Sequence, residues 1–222
     1  MSFKKNKYEI VRNAISKEEA NLIYNYFLNK KRSYDFLMEK RYFSPFEYIY
    51  GTYNDPQVPN TYSHYSDLLM DTLLQHVQPM MEKKLNFKLS PTYSYARKYK
   101  KNDILKRHKD RFSCEISTTM NLGGDAWPIY LEPNPKLGEL INDLYVSQNT
   151  KGIKINLNPG DMLIYSGCEL EHWREPFTGQ DCAQVFLHYN KKGSKKAQEN
   201  EFDTRPFLGL PAYYKKKESD KK

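Results

Sequence analysis

Three side chains in this sequence could share one metal ion. His108 and Asp110 stand two positions apart in the charged run Lys106–Arg111, and His172 follows much later in GDMLIYSGCELEHWREP. Where a chain is extended, residues i and i+2 project to the same side, so an imidazole nitrogen and a carboxylate oxygen can face one ion. Two histidines and one carboxylate on one face of a metal, with the other positions open, suit non-haem Fe(II). Taken alone, a His-x-Asp triplet in a chain that is 28% charged reads equally well as a solvated turn.

The surrounding elements favour the metal reading. Phe87–Lys100 reads as a strand, with Pro91 near its start, where a missing N–H costs least. Phe112–Leu122 reads as the next strand. Its faces are Cys114/Ile116/Thr118/Met120/Leu122 and Glu115/Ser117/Thr119/Asn121, one apolar and one polar. Ile153–Leu157 and Met162–Tyr165 read as a strand pair around the turn Asn158-Pro159-Gly160-Asp161, and Gln184–Tyr189 as the last core strand. A sheet that doubles back can bring residues 108, 110 and 172 together.

The rest of the chain supplies support for that sheet. Tyr8–Val11 fits a short opening strand. Ser16 with Glu19 forms a capping box, and Ala20, Leu22, Ile23, Tyr26 and Phe27 recur at helical spacing behind it. Ser66 is placed to cap a second helix running to about Lys84, with Leu68, Leu69, Leu73, Val77, Met80 and Met81 on its apolar face. Between them, Tyr42, Phe43, Phe46, Tyr48, Tyr50 and Tyr53 form a dense aromatic set that could wall a substrate site or cover a sheet. Ala126–Leu131 fits a short strand, and Leu140–Val146 fits a short helix or a strand.

These motifs resemble the 2-oxoglutarate and Fe(II)-dependent dioxygenases, in particular the prolyl-4-hydroxylase-like group. The likeness is densest at Tyr93–Leu122 and Asn158–Tyr189. It implies a mainly β fold with flanking helices and a double-stranded β-helix (jelly roll) core. It further implies Fe(II) held by His108, Asp110 and His172, 2-oxoglutarate as co-substrate, and dioxygen as a partner. The reaction implied is hydroxylation of a small molecule, peptide or protein, with decarboxylation of 2-oxoglutarate to succinate. Relatives that halogenate replace the carboxylate ligand; Asp110 is present here, which favours hydroxylation.

The sequence departs from this family at one point. The distal carboxylate of 2-oxoglutarate usually meets an Arg or Lys on the final strand, and the corresponding positions here are Asp181, Cys182 and Ala183. Arg174 shares a side with His172 if that strand is extended, and its guanidinium fits a carboxylate bidentately. Tyr99, Thr119 and His188 are further candidates for the co-substrate, with Gln184 and Arg97 behind them. Trp173 reads as packing, and His64 and His76 as surface or packing residues of the helical region.

Composition narrows the alternatives. A chain of 222 residues suffices for one β domain with flanking helices. Residues 1–190 are expected to form it, and 191–222 a lysine-rich extension, docked in part or disordered. The net charge of +8 invites nucleic acid as a partner, but no zinc finger, helix-turn-helix or RNA-binding signature accompanies it, so the lysine runs read as solvated. Three cysteines without close pairing fit a reducing, intracellular (cytoplasmic) setting, with Cys114 and Cys168 as small core residues. No stretch is apolar enough to span a membrane, and the first residues lack the apolar core of a signal peptide. Two other readings compete: a cupin-like metalloenzyme without 2-oxoglutarate, and an inactive jelly-roll binding module.

Overall fold

The computed structural model describes residues 3–44, 46–142 and 144–216. Residues 217–222, at the end of the expected extension, lie outside the described residues. The elements are α1 (Phe3–Asn6), β1 (Tyr8–Val11), α2 (Lys17–Glu39), β2 (Tyr62–Tyr65), α3 (Leu68–Leu85), β3 (Leu89–Lys100), β4 (Leu105–His108), β5 (Ile116–Gly124) and β6 (Ile129–Leu131). They continue as β7 (Glu139–Ile141), β8 (Leu144–Val146), β9 (Ile153–Ile155), β10 (Met162–Ser166), β11 (His172–Arg174), β12 (Asp181–Lys191) and α4 (Lys195–Glu199).

Six strands pair antiparallel in the order β1-β10-β5-β12-β3-β2, and four in the order β4-β11-β6-β9. The period of two along each strand sorts the side chains of the larger sheet. Ala183, Val185, Leu187 and Tyr189 of β12 pack with Ile116, Met120 and Leu122 of β5 and with the apolar faces of α2 and α3. The alternate residues face the smaller sheet: Leu163 and Tyr165 of β10 pack on Ile129 and Leu131 of β6 and Ile155 of β9. The result is a jelly roll, mainly β, with helices on its outer face. No described helix is long and apolar enough to cross a membrane.

Local chemistry explains where the elements begin. Ser16 Oγ accepts from the Glu19 amide at 3.1 Å, and Glu19 returns the bond to the Ser16 amide at 2.7 Å, so α2 starts at the expected box. A cap of this kind contributes about 1 kcal/mol. α3 differs from expectation. Asp67, not Ser66, caps it through the amides of Leu69 and Met70. Ser66 has a φ of 57° and bonds Asp71 with its hydroxyl.

Two further expectations are corrected, and one open alternative is decided. The strand expected over Phe112–Leu122 begins as a 3-10 turn, Phe112–Cys114, and only then becomes β5. On its polar face, Ser117, Thr119 and Asn121 are all buried. The segments on either side of Asn158–Asp161 do not pair: β9 belongs to the smaller sheet and β10 to the larger one, so the turn is an arch between sheets. Leu140–Val146 resolves into the hairpin β7–β8.

Candidate metal centre

His172 and His108 face each other directly across β11 and β4. His108 Nδ1 lies 2.7 Å from the Lys106 carbonyl, and His172 Nδ1 lies 3.0 Å from the Leu170 carbonyl. A carbonyl only accepts, so each Nδ1 carries the hydrogen and each Nε2 keeps its lone pair. Both Nε2 atoms stand 3.6 Å from the same atom, Asp110 Oδ1. With ligand bonds of about 2.1 Å, neighbouring ligand atoms sit about 3 Å apart, so a small contraction would close this set around an ion.

The other carboxylate oxygen is held separately. Ser117 Oγ donates to Asp110 Oδ2 at 2.7 Å and lies 3.0 Å from His188 Nδ1. The Asp110 amide donates to the Gly167 carbonyl at 2.8 Å. Gly167 must be glycine for steric reasons, since a Cβ there would run into Asp110 Oδ2, the Cys114 carbonyl and Ser117 Oγ. Metal sites are commonly tuned by such outer partners of the ligands.

Electrostatics leave Asp110 and His108 in the protonation states a metal needs. Burial alone would raise the Asp110 carboxyl, but His172, then His108 and His188, hold it well below the usual carboxylate range. Burial, reinforced by His172, lowers His108 to about 4, so its ring is neutral at pH 7. Asp110, Cys114 and His188 form a second possible group. Burial keeps the Cys114 thiol protonated, its pKa pushed well above 9.0, and Tyr93 Oη lies 3.0 Å from its sulfur. The first group is therefore the better metal candidate. Cys114 is buried as expected, whereas Cys168 is only half-buried; all three cysteines are free.

The triad opens into a cavity of about 840 Å³ lined by the rings of Tyr48, Tyr65, Tyr93, Tyr95, Phe186 and Tyr213. The aromatic set around Tyr42–Tyr53 divides. Tyr48 lines this cavity, Phe43 and Tyr53 pack on Tyr34 of α2, and Tyr42 and Phe46 are exposed. His76 is exposed. His64 packs, buried beside Asp67, but departs from expectation in sitting on β2 and lining the cavity. Trp173 packs, stacked on Tyr130 with the Arg107 guanidinium over its ring.

Arg174 crosses from the smaller sheet to the larger one. Its guanidinium donates to Thr119 Oγ1 at 3.2 Å and to the Trp127 carbonyl. It is 1% exposed, its Nε has no partner, and no carboxylate pairs with it among the described residues. Burial lowers its pKa, opposed only by Tyr99, Cys182 and Tyr165. Thr119 also donates to Gln184 at 3.2 Å. Tyr99 is fully buried, and its hydroxyl accepts from Arg97 at 3.1 Å. The cavity lining includes Arg97, Tyr165 and His188 but not Arg174, Thr119 or Tyr99, which lie behind it.

No family model matches this sequence, and a search of the curated proteins finds no match either. Solved structures do match. A Pseudomonas putida prolyl-4-hydroxylase superposes with a TM-score of 0.59 at 10% identity, covering 86% of this chain and 96% of that one. HygX from Streptomyces hygroscopicus, with nickel and 2-oxoglutarate bound, gives 0.56 at 13% identity over 86% of this chain and 85% of that one. The α-ketoglutarate-dependent epimerase SnoN from nogalamycin biosynthesis gives 0.59 at 12% identity over 98% and 91%. The fold is that of the 2-oxoglutarate/Fe(II) oxygenases. Likeness at these identities speaks for the fold, and function has to be argued from the site.

Within this oxygenase fold, β12 carries no cation at the positions of the usual clamp. Asp181 accepts from Tyr24 at 2.6 Å, and Cys182 and Ala183 are buried. Several site residues carry no sequence signal. Gln57 sits with its amide nitrogen 3.1 Å from His108 Nε2 and its oxygen 3.0 Å from Arg97. Asp55 pairs with Arg97. Both come from a loop far from the triad in sequence. Ser117 was visible only as a member of a polar strand face.

Proposed function

We propose that this protein is an Fe(II)- and 2-oxoglutarate-dependent dioxygenase that hydroxylates an unactivated C–H, in a prolyl or other amino-acid side chain or a small metabolite. The observation that carries the reading is the convergence of two histidine Nε2 atoms and one carboxylate oxygen, backed by a buried arginine without a carboxylate partner among the described residues. Bound Fe(II) supplies the one-electron chemistry that couples dioxygen to oxidative decarboxylation of 2-oxoglutarate.

The protein's own residues do the rest. His108 Nε2, His172 Nε2 and Asp110 Oδ1 hold the ion, with Ser117 and Gly167 fixing the carboxylate. Arg174, with Thr119 beside it and Tyr99 in the same layer, receives the distal carboxylate of 2-oxoglutarate. A buried guanidinium with an unpaired N–H is costly, and an anion relieves that cost. His188 reaches Ser117, so it acts on Asp110 more directly than on the co-substrate. The tyrosine-lined cavity takes the substrate and keeps bulk water from the reacting carbon.

The test is succinate release from 2-oxoglutarate by purified protein, with Fe(II) and dioxygen each omitted in turn. The expected result is release that needs both and rises with one member of a panel of prolyl peptides and free amino acids. A metal-bound protein that never consumes 2-oxoglutarate would favour the cupin-like alternative.

A further inference from the structure

The chain does not end its work at the last barrel strand. Beyond β12 and α4, the segment from Asn200 to Tyr213 returns to the cavity, where Pro211, Ala212 and Tyr213 form part of the same lining as Asp110. It is anchored by two buried charges. Asp203 accepts from both terminal nitrogens of Arg111 at 2.7 Å and from the Tyr65 hydroxyl at 2.7 Å. Arg205 donates to the Thr92 carbonyl at 2.9 Å and to Ser66 and Leu210.

Two features separate this from ordinary terminal packing. Phe202, Asp203 and Thr204 have φ of 54°, 55° and 68° in succession. Left-handed backbone is costly for non-glycine residues, and such strain persists only where surrounding structure enforces it, often beside functional sites. Moreover, the anchor point is Arg111, the residue after Asp110. Asn200 adds a second tie to the same turn through Ser113 Oγ at 3.1 Å. The turn bearing Asp110 is thus held by Gly167 on one side and by the C-terminal segment on the other.

We propose that residues 200–213 are a working wall of the metal pocket: Asp203 latches the segment to the turn carrying Asp110, and Pro211–Tyr213 close the cavity over the ion. Asp203 is a positioning residue, acting through Arg111. The Arg111 fork spent on Asp203 cannot swing onto the neighbouring Asp110 and compete with the metal for its carboxylate. This inference rests on the metal reading above.

Two readouts test it. The first is Mn(II) affinity by calorimetry, well below the melting temperature. D203N should lose about tenfold, the lower end of what outer partners of metal ligands contribute. K215A removes the other cation on Asp203, 2.6 Å away, without touching the turn, and should stay within about twofold, well inside that range. R111K, which keeps the charge but not the fork, should fall between them and serves if D203N does not fold. Wild-type affinity in D203N, or in R111K should it be needed, would overturn the latch.

The second readout is metal-directed oxidation. Protein loaded with Fe(II) and treated briefly with hydrogen peroxide makes hydroxyl radical at the ion, and the oxidised residues are mapped by mass spectrometry. Tyr213 should be oxidised along with Tyr93 and His188, and this should vanish in H108A. Oxidation at Tyr93 and His188 that spares Tyr213 would sink the wall while leaving the metal site standing. Absence of any His108-dependent oxidation would remove both.

Discussion

Arg97 and Arg174 are both buried, both leave an Nε without a partner, and they approach the interior from opposite sheets. Arg97, on β3, lines the cavity and pairs with Asp55. Burial would lower its pKa, but Tyr99, Tyr95 and Asp55 raise it above that of free arginine. Arg174, on β11, lies behind the cavity, has no acidic partner among the described residues, and its pKa is lowered by burial. Of the two, Arg174 is the cation still available. A guanidinium already satisfied by a carboxylate gains little from a second one, whereas an uncompensated buried charge leaves several kcal/mol to be recovered. The cavity's reach argues for Arg97, and the charge balance argues for Arg174; charge balance is the larger effect.

The largest expected effect sits upstream of either arginine. H108A and H172A each delete one of the three proposed ligand atoms and should weaken Mn(II) binding by more than about a hundredfold, beyond what losing an outer partner costs. Near-ultraviolet circular dichroism should remain that of the wild type. If H108A keeps its metal affinity, the comparison of the two arginines loses its premise.

The arginines come next. Truncating one partner of a buried charged pair costs about 2–5 kcal/mol, so R174A should weaken 2-oxoglutarate binding by about 30-fold or more, with Mn(II) affinity nearly unchanged. R174K should recover only part, because lysine keeps the charge without the planar fork. R97A should change 2-oxoglutarate binding by less than about threefold. Its main consequence should be release of Asp55 and Gln57, read as faster hydrogen exchange in residues 51–58.

Smaller effects belong to the carboxylate's supports. S117A removes the donor to Asp110 Oδ2 and should weaken Mn(II) by about tenfold. G167A should do at least as much, through the collision at the same oxygen. A G167A protein with normal metal affinity would mean that the turn carrying Asp110 is looser than its packing indicates.

The smallest effect is a slope. Burial lowers both His108 and His188 from 6.5 to about 4. The unfolded chain therefore takes up protons below pH 6.5 that the folded chain refuses until about pH 4. Stability of the metal-free protein should fall as pH falls through that window. Urea midpoints between pH 7 and pH 4.5 measure it, and H188Q should flatten the slope.

Much of this was legible in the sequence because alternation is a local rule. His108 with Asp110, and His172 with Arg174, each needed only two residues of extended chain to share a side. The polar row Ser117, Thr119, Asn121 marked an inward face for the same reason. What could not be read depends on long-range contact. Nothing around Asp55 or Gln57 announces that they meet Arg97 and His108. Gly167 looks like a loop glycine until the carboxylate it must clear is in place. The 3-10 turn at Phe112–Cys114 follows Arg111, whose guanidinium pairs with Asp203, a residue beyond the barrel. The arch at Asn158–Asp161 has the sequence of a hairpin turn, and only the sheet order reveals that its strands part.

The most direct measurement is calorimetric titration of 2-oxoglutarate into Mn(II)-loaded protein, comparing wild type, R174A and R97A. The expected result is one site per chain that requires the metal, is weakened about 30-fold or more in R174A, and persists in R97A. Wild-type binding in R174A, with loss in R97A, would contradict it and move the clamp to the cavity wall.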